Sequence, residues 1–412
     1  MLAHDWPNAI AHVDADCFYA SCELLRRPDL RGTPVCVLSS QDACIVAKTY
    51  DAKAAGITTG MTVWEARKLM PHATFISADF RYYGQMSDKL FAVLRRYSPA
   101  VEESSIDEAY VDMHGLRGFY RKSYQRMADE LRARVQQEIG ITVSIGIAVN
   151  KTLAKMASEY NKPNGSTIVA GKRIQDFLQQ VNVRAIPGIG SNRAALLSKC
   201  DMHTAADFAA ASEAHIRKLL GKAGTDLWHE LNGRVRYKVE TQTRLPKSVA
   251  RTASMGQLTQ DKVTIHAHLV RHAMRLSKEL LEQRYTTRQL TLFLTLKSFE
   301  RHAAAITLPY ATADYFMLMQ EVGKALEQLF DPAQIYRACG LVATEIEVRQ
   351  AGSFDLFQQA EQQREHKHLR LLDTVHDVNQ KYGAHALSIC ATAKSPGQRG
   401  GARFGYPLLE CS

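Results

Sequence analysis

The chain contains no run of about 18 apolar residues, so no membrane-spanning helix is expected. Its opening residues, MLAHDWPNAIAHVD, lack a basic stretch followed by an apolar one, and no secretory signal is expected. Eight cysteines are scattered at 17, 22, 36, 44, 200, 339, 390 and 411, and none forms a CxxC pair. Neither a zinc motif nor a redox motif is therefore indicated, and a chain of this length needs no disulfide framework. Inert thiols in a reducing cytoplasm are the expectation. The charge is only mildly one-sided: +10, with a pI near 9.1. That balance suits a polyanionic partner, because neutralised phosphates release counterions.

What is present is enough apolar sequence, 46% of 412 residues, for three or four compact domains. AIAHVD (9–14) reads as a buried strand ending on a carboxylate, and Cys17 to Leu25 has helical spacing. PVCVLS (34–39), ACIVAKTY (43–50) and ATFISA read as strands. A helix over 62–70 opens with Thr62 and Glu65, the spacing of a capping box, and stops before Pro71. Helices are predicted over 79–97 and 119–138, a strand pair with a polar tip over 100–113, and a strand over 141–149. Asn150 caps the next helix, which ends at the loop NKPNG (161–165). This alternation predicts an α/β or α+β catalytic domain.

From about 170 the pattern turns helical, with RAIPGIGSNRAALLSK (184–199) a glycine hairpin between two helices. Residues 232–250 are polar, basic and poor in apolar positions, as in a linker. Beyond them come strand (249–258), helix (264–283), strands (289–298 and 302–309), helix (311–330) and strand (335–348). The order β-α-β-β-α-β is a split βαβ sandwich, and Leu290, Leu292, Leu294 and Leu296 mark its buried face. The last sixty or so residues are polar, and KSPGQRGGARFG (394–405) has the composition of a disordered tail.

The candidate chemistry lies in carboxylates. Asp14 ends a strand, and Asp107 with Glu108 sits at a hairpin tip. Mg²⁺ takes hard oxygen ligands and completes its shell with water and phosphates, so three converging carboxylates could hold a pair of ions. Neighbouring residues of a regular strand face opposite ways, so Asp107 and Glu108 can share a site only at a turn or bulge. Alone, the pair would also read as a solvated acidic tip. Asp16 reads as a possible helix cap and is not counted as a ligand.

HVDADCFYASCE (12–23), SSIDEAYVD (104–112) and GIAVNKTLAKMASEYNKPNG (146–165) together resemble the Y family of translesion DNA polymerases, over residues 9–350 and in the family's order. The resemblance implies a right-hand polymerase of multi-domain α+β fold. Its palm is 1–30 and 80–168, its small fingers 31–79 and its helix-hairpin-helix thumb 169–233. A linker (234–248), a split βαβ little finger (249–350) and a clamp-binding peptide with tail (351–412) complete it. It implies catalytic and metal-binding roles for Asp14, Asp107 and Glu108, with the Ala15 backbone carbonyl as a further ligand of two Mg²⁺, which Mn²⁺ could replace. Phe18 and Tyr19 match residues under the incoming sugar, Tyr19 being the steric gate that excludes a 2′-hydroxyl. Tyr50, Lys53 and Lys162 match triphosphate contacts. Lys53 stands where many members have arginine, and a lysine is a point charge that cannot grip phosphate bidentately. Ala47 stands where those members often carry a small hydroxyl residue.

For DNA, the family places the backbone of Gly188 and Gly190 against duplex phosphates, at a helix start suited to anions. Arg251 and Lys297 are candidate little-finger contacts. SFDLF (353–357) resembles the sliding-clamp peptide, with Phe354, Leu356 and Phe357 as apolar anchors. The implied function is error-prone, template-directed synthesis across damage, using primer-template DNA and dNTPs, with no stretch left over for a proofreading exonuclease. A resemblance to the UmuC branch implies an alternative, a catalytic subunit inactive without a UmuD-like accessory protein. A nucleotide cyclase would share the carboxylates but lack the hairpin, the sandwich and the clamp peptide.

Overall fold

A computed structural model of the chain describes residues 6–39, 43–241 and 245–349, with isolated helical positions at 367, 370, 371, 374 and 378. The peptide 353–357, with Phe354, Leu356 and Phe357, lies outside the described residues. The chain divides into two compact units, one ending at Gln242 and the other starting at Thr243.

The first unit carries strands β1 (Ile10–Ala15), β2 (Val35–Leu38), β3 (Ile45–Lys48), β4 (Thr74–Ser77), β5 (Val101–Glu103), β6 (Glu108–Asp112), β7 (Val143–Ala148) and β8 (Ser166–Val169). Five of them form a sheet in the order β5-β6-β1-β7-β8. Period-two alternation gives its centre two different faces. Ala9, Ala11, Val13 and Ala15 join a core with Leu90 and Leu94 of helix Phe80–Arg95 and Leu131 and Val135 of helix Tyr124–Ile139. His12 and Asp14 take the other face, beside Tyr110, Glu108, Gly146 and Ser144 of the neighbouring strands.

Helix Lys151–Tyr160 crosses that second face very closely. A methyl group built on Gly146 would come within 2.1 Å of the Ala154 carbonyl oxygen and 2.3 Å of the Ser158 amide. Asn150 caps this helix by accepting from Leu153 N–H, as its sequence position predicts.

A second, three-stranded sheet (β3-β2-β4) packs its own small core around Cys36, Leu38, Ile45 and Ile57. Beside it, helix Val63–Leu69 opens with the expected capping box. Short helices after Gly171 gather around Phe177, Leu178, Leu197, Phe208 and Ile216.

The second unit has strands β9 (Ser248–Thr259), β10 (Tyr285–Leu296), β11 (Arg301–Thr312) and β12 (Tyr336–Val348), all antiparallel in the order β11-β10-β12-β9. Helices Lys262–Glu282 and Tyr315–Leu329 pack on one side. The element order is the expected split βαβ sandwich. All four leucines of the β10 alternation are buried in its core.

Two local expectations differ. The helix expected over 119–138 is two helices, Leu116–Tyr120 and Tyr124–Ile139, parted where Arg121 adopts a left-handed φ of 51°. Ser123 then starts the second helix by accepting from Arg126 N–H. Strand β8 was not expected: STIV is short and mostly half-buried, and its pattern comes from pairing parallel to β7.

The close crossing generates a stability test. Gly146→Ala must push helix Lys151–Tyr160 off the sheet against backbone atoms that cannot rotate away. Such overpacking typically costs about 1–3 kcal/mol, so the urea midpoint should fall accordingly. Gly118→Ala, with open space around its added methyl group, should change it little.

Candidate active site

Asp14 and Glu108 are directly opposed across the β1–β6 pair and so share a face. Asp107 precedes β6, in a turn where Ser104 and Ser105 amides donate to the Glu108 carbonyl oxygen at 3.0 and 3.2 Å. That turn meets the geometric condition for neighbouring carboxylates to approach one site. The Asp107 carbonyl accepts from Ala15 N–H at 2.9 Å, clamping the hairpin tip to the end of β1.

Four carboxylates in a confined space need cations. Lys162 Nζ lies 2.7 Å from Asp14 Oδ1, and Lys155 Nζ donates to both Glu108 oxygens at 2.7 and 3.0 Å. His12, fully buried, has Nε2 3.3 Å from Glu108 Oε2, while its Nδ1 lies 2.7 Å from Ser158 Oγ. Asp16, the fourth carboxylate, is held by other partners at one side.

The acids respond differently to burial. Burial pushes Asp14 up to about 7 even with the Lys162 ammonium against it. Burial raises Asp107 as well, opposed mainly by the Ser105 hydroxyl. Burial alone would also raise Glu108, but the His12 ring 3.3 Å away and the Lys155 ammonium, hydrogen-bonded to both carboxylate oxygens, bring it down to about 2. Burial lowers His12 and favours its neutral form.

This donor set fits a divalent cation. One donor atom each from His12, Asp14 and Glu108 lie within 4.8 Å of one another. Asp107 falls outside that tight set, yet its charge helps to raise Asp14. Ammonium groups already rest on Asp14 and Glu108, where a metal would relieve the same excess of negative charge.

Phe18 is buried in helix Phe18–Arg26. The Tyr19 ring stacks on Tyr83 at 4.5 Å and meets Phe80 edge-on at 5.5 Å. Tyr83 is itself fixed, since its hydroxyl donates to the buried Glu23 carboxylate at 2.7 Å. Tyr50 opens helix Tyr50–Ala54 with its hydroxyl 3.3 Å from Asp16 Oδ1, and the Lys53 ammonium is 5.8 Å from the Tyr50 ring centre.

Gly188 has a φ of 85°, and Gly190 is the N-cap of helix Ser191–Ser198. In the second unit Lys297 is exposed at the β10–β11 turn. Arg251 pairs with Leu341 in register and forms an ion pair with Glu279 of helix Lys262–Glu282. Its side chain thus lies on the helix-covered side of the sheet. Asp16 also departs from expectation. The N-cap of the first helix is Cys17 and no side chain caps it.

Sequence reasoning passed over His12, Lys155 and Ser158. His12 was legible in part, since it stands two residues before Asp14 on a strand and must share its face. Lys155 and Ser158 reach the site only because Gly146 admits their helix.

Family models of the impB/mucB/samB family match residues 13–159, and those of its C-terminal domain match 246–356. Protein ImpB of Salmonella typhimurium is 31% identical over 388 residues, covering 90% of either chain. DNA polymerase IV of Bacillus velezensis is 30% identical over 394 residues, covering 93% of either chain. Among solved structures, a Y-family DNA polymerase chimera of Dbh and Dpo4 superposes with a TM-score of 0.69 at 24% identity, covering 82% of this chain and 99% of that one. An insertion ternary complex of Dbh DNA polymerase does so with a TM-score of 0.60 at 22% identity and the same coverage.

The acid at about 7 sets a test. Below that pH Asp14 carries a proton that a metal must displace, so Mn²⁺ affinity should fall up to tenfold per pH unit below 7. Calorimetry at pH 6 in buffers of different ionisation enthalpy should show close to one proton released per ion. Asp14→Asn should abolish that release. With family models across both halves, relatives matched over nine-tenths of the chain, and a common fold, the chain belongs to the impB/mucB/samB family and is a Y-family DNA-directed DNA polymerase.

Proposed function

We propose that the Asp14–Asp107–Glu108 cluster performs template-directed nucleotidyl transfer from a dNTP to a primer 3′-hydroxyl during synthesis across damaged DNA. The observation that carries this reading is the β1–β6 register, which opposes Asp14 and Glu108, with the backbone of Asp107 fastened to Ala15 N–H at the end of β1. Two Mg²⁺, or Mn²⁺ in their place, held by these carboxylates and the Ala15 carbonyl, would supply activation of the hydroxyl and neutralisation of phosphate charge. The protein's own part is positioning and electrostatics.

Lys162, whose ammonium rests on Asp14, would turn that charge to an arriving triphosphate. Tyr50 and Lys53 approach the same anion from the three-stranded sheet's side. Lys155 and His12 hold Glu108 ionised and oriented. Phe18 lies beneath the sugar, and Tyr19, backed by Tyr83 and Phe80, occupies the space a 2′-hydroxyl would need.

In this reading, 1–30 with 80–168 is the palm and 31–79 the fingers. Residues 169–233 form the thumb, whose Gly188 and Gly190 amides meet duplex phosphates. The segment 234–248 is a linker and 249–350 the little finger, with Lys297 available for phosphate. Arg251, covered and ion-paired, is left out of the DNA contacts. The 351–412 segment would bring the sliding clamp through Phe354, Leu356 and Phe357. A cytoplasmic setting suits the work.

Lys53, matching the UmuC branch rather than the arginine of others, favours a second reading in which the chain is a catalytic subunit that needs a UmuD-like partner.

Primer extension with Mg²⁺, dNTPs and an abasic-site template tests both readings. The wild type should extend, and an Asp107→Ala, Glu108→Ala variant should lose activity by on the order of 1000-fold or more. Extension only after clamp and accessory protein are added would favour the second reading. Equal extension by both proteins would overturn the site.

The gate has its own readout. Tyr19→Ala should narrow the preference for dNTP over rNTP by roughly 10- to 200-fold, measured as a ratio of kcat/KM values.

A further inference from the structure

Asp16 is buried and accepts from three separate segments, yet the chemistry above does not use it. It is 2% exposed. Its Oδ1 accepts from Ser144 Oγ at 2.8 Å and from the Tyr50 hydroxyl at 3.3 Å. Its Oδ2 accepts from Asn164 N–H at 2.8 Å. These donors come from three places: strand β7, the start of helix Tyr50–Ala54, and the NKPNG loop. The backbone of Asp16 is fixed as well, its N–H donating to Thr142 O at 3.0 Å and its carbonyl accepting from Ser21 Oγ at 2.5 Å.

Two of the tethered segments carry proposed triphosphate contacts. Tyr50 is one of them, and Asn164 is two residues from Lys162. Ser144 extends the hold on the loop, since its hydroxyl also lies 3.5 Å from Gly165 N–H. Ser144 is in register with Asp14 on β7. Asp16 therefore fastens both phosphate-binding segments to the strands that carry the metal-binding carboxylates. Buried, charge-assisted hydrogen bonds of this kind are roughly twice as strong as neutral ones and are geometrically demanding.

We infer that Asp16 is a positioning residue for the incoming nucleotide: it touches neither metal nor substrate, and it sets the placement of Tyr50 and of the Lys162 loop around the triphosphate. The inference rests on the nucleotidyl-transfer reading. A carboxylate is needed because all three partners are donors. An asparagine keeps only one acceptor atom and no charge: with its Oδ1 on Asn164 N–H, the Ser144 and Tyr50 hydroxyls would have to turn from donating to accepting, and the charge-assisted bonds to all three segments would weaken.

The test uses the full chain on a primer-template, with Asp16→Asn and Ser144→Ala. Single-nucleotide insertion should show KM for dNTP raised about tenfold or more in Asp16→Asn, with kcat within about threefold of wild type. Ser144→Ala, which removes one donor and leaves the carboxylate, should raise KM by a smaller factor. Equilibrium binding of dNTP to the complex with a dideoxy-terminated primer should weaken by the same factors, and this readout does not require turnover.

An unchanged KM and dNTP affinity in Asp16→Asn overturns the inference, as does a fall in kcat at constant KM, which would place the residue's effect at the metal centre. If Asp16→Asn does not fold, Ser144→Ala carries the test on the same criteria. Lys162→Ala separates the two levels of argument. If it weakens dNTP binding while both other variants bind normally, the positioning role fails and the site reading stands. If none of the three affects dNTP binding, the triphosphate assignment fails with it.

Discussion

The constraint on which the first unit depends is the burial of several carboxylates at one end of a sheet. Each must be compensated where water cannot do it, and the compensation differs from acid to acid. Glu108 is satisfied by protein groups, His12 and Lys155, and remains ionised. Asp14 is not fully satisfied even with Lys162 beside it, and burial leaves it near 7. Asp16 is matched by uncharged donors from three segments. The acid with a complete protein shell serves as an anchor. The one left short of positive charge is the one that a metal ion would complete.

That division relies on how closely one helix approaches the sheet. His12 pairs with Gly146 across β1 and β7, and Ser144 and Ala148 extend the same narrow strip of small residues. The helix seated on it supplies Lys155 to Glu108 and Ser158 to His12, then runs into the loop that returns Lys162 to Asp14. A larger residue in the strip would shift all of these contacts together. The electrostatics of the site thus rest on a packing distance.

Much of the fold was legible because it follows from local rules. The capping box at Thr62 and Glu65, the cap at Asn150 and the leucine alternation of β10 are signals carried within a few residues. The carboxylates were legible from their motifs and their spacing. What escaped was tertiary. Strand β8 exists because β7 offers it an edge, and the helix break at Arg121 reflects how the following helix is capped and docked rather than any proline. Arg251 looks like a surface cation in sequence, but its parity on β9 turns it toward the helices and Glu279. Alternation could have predicted that from Val249, its buried neighbour two residues earlier on the same face.

Asp16 shows why the second aspartate of a DxD pair need not share the role of the first. Asp14 lies on β1, where period-two geometry fixes its side chain on the face of Glu108. Asp16 lies past the end of that strand, just before Cys17 takes a left-handed φ of 48°. The departure from strand geometry frees its side chain from the alternation and lets it reach Ser144, Tyr50 and Asn164 instead. Two acids of identical chemistry, two residues apart, are separated by the backbone into one that awaits a cation and one that gathers donors.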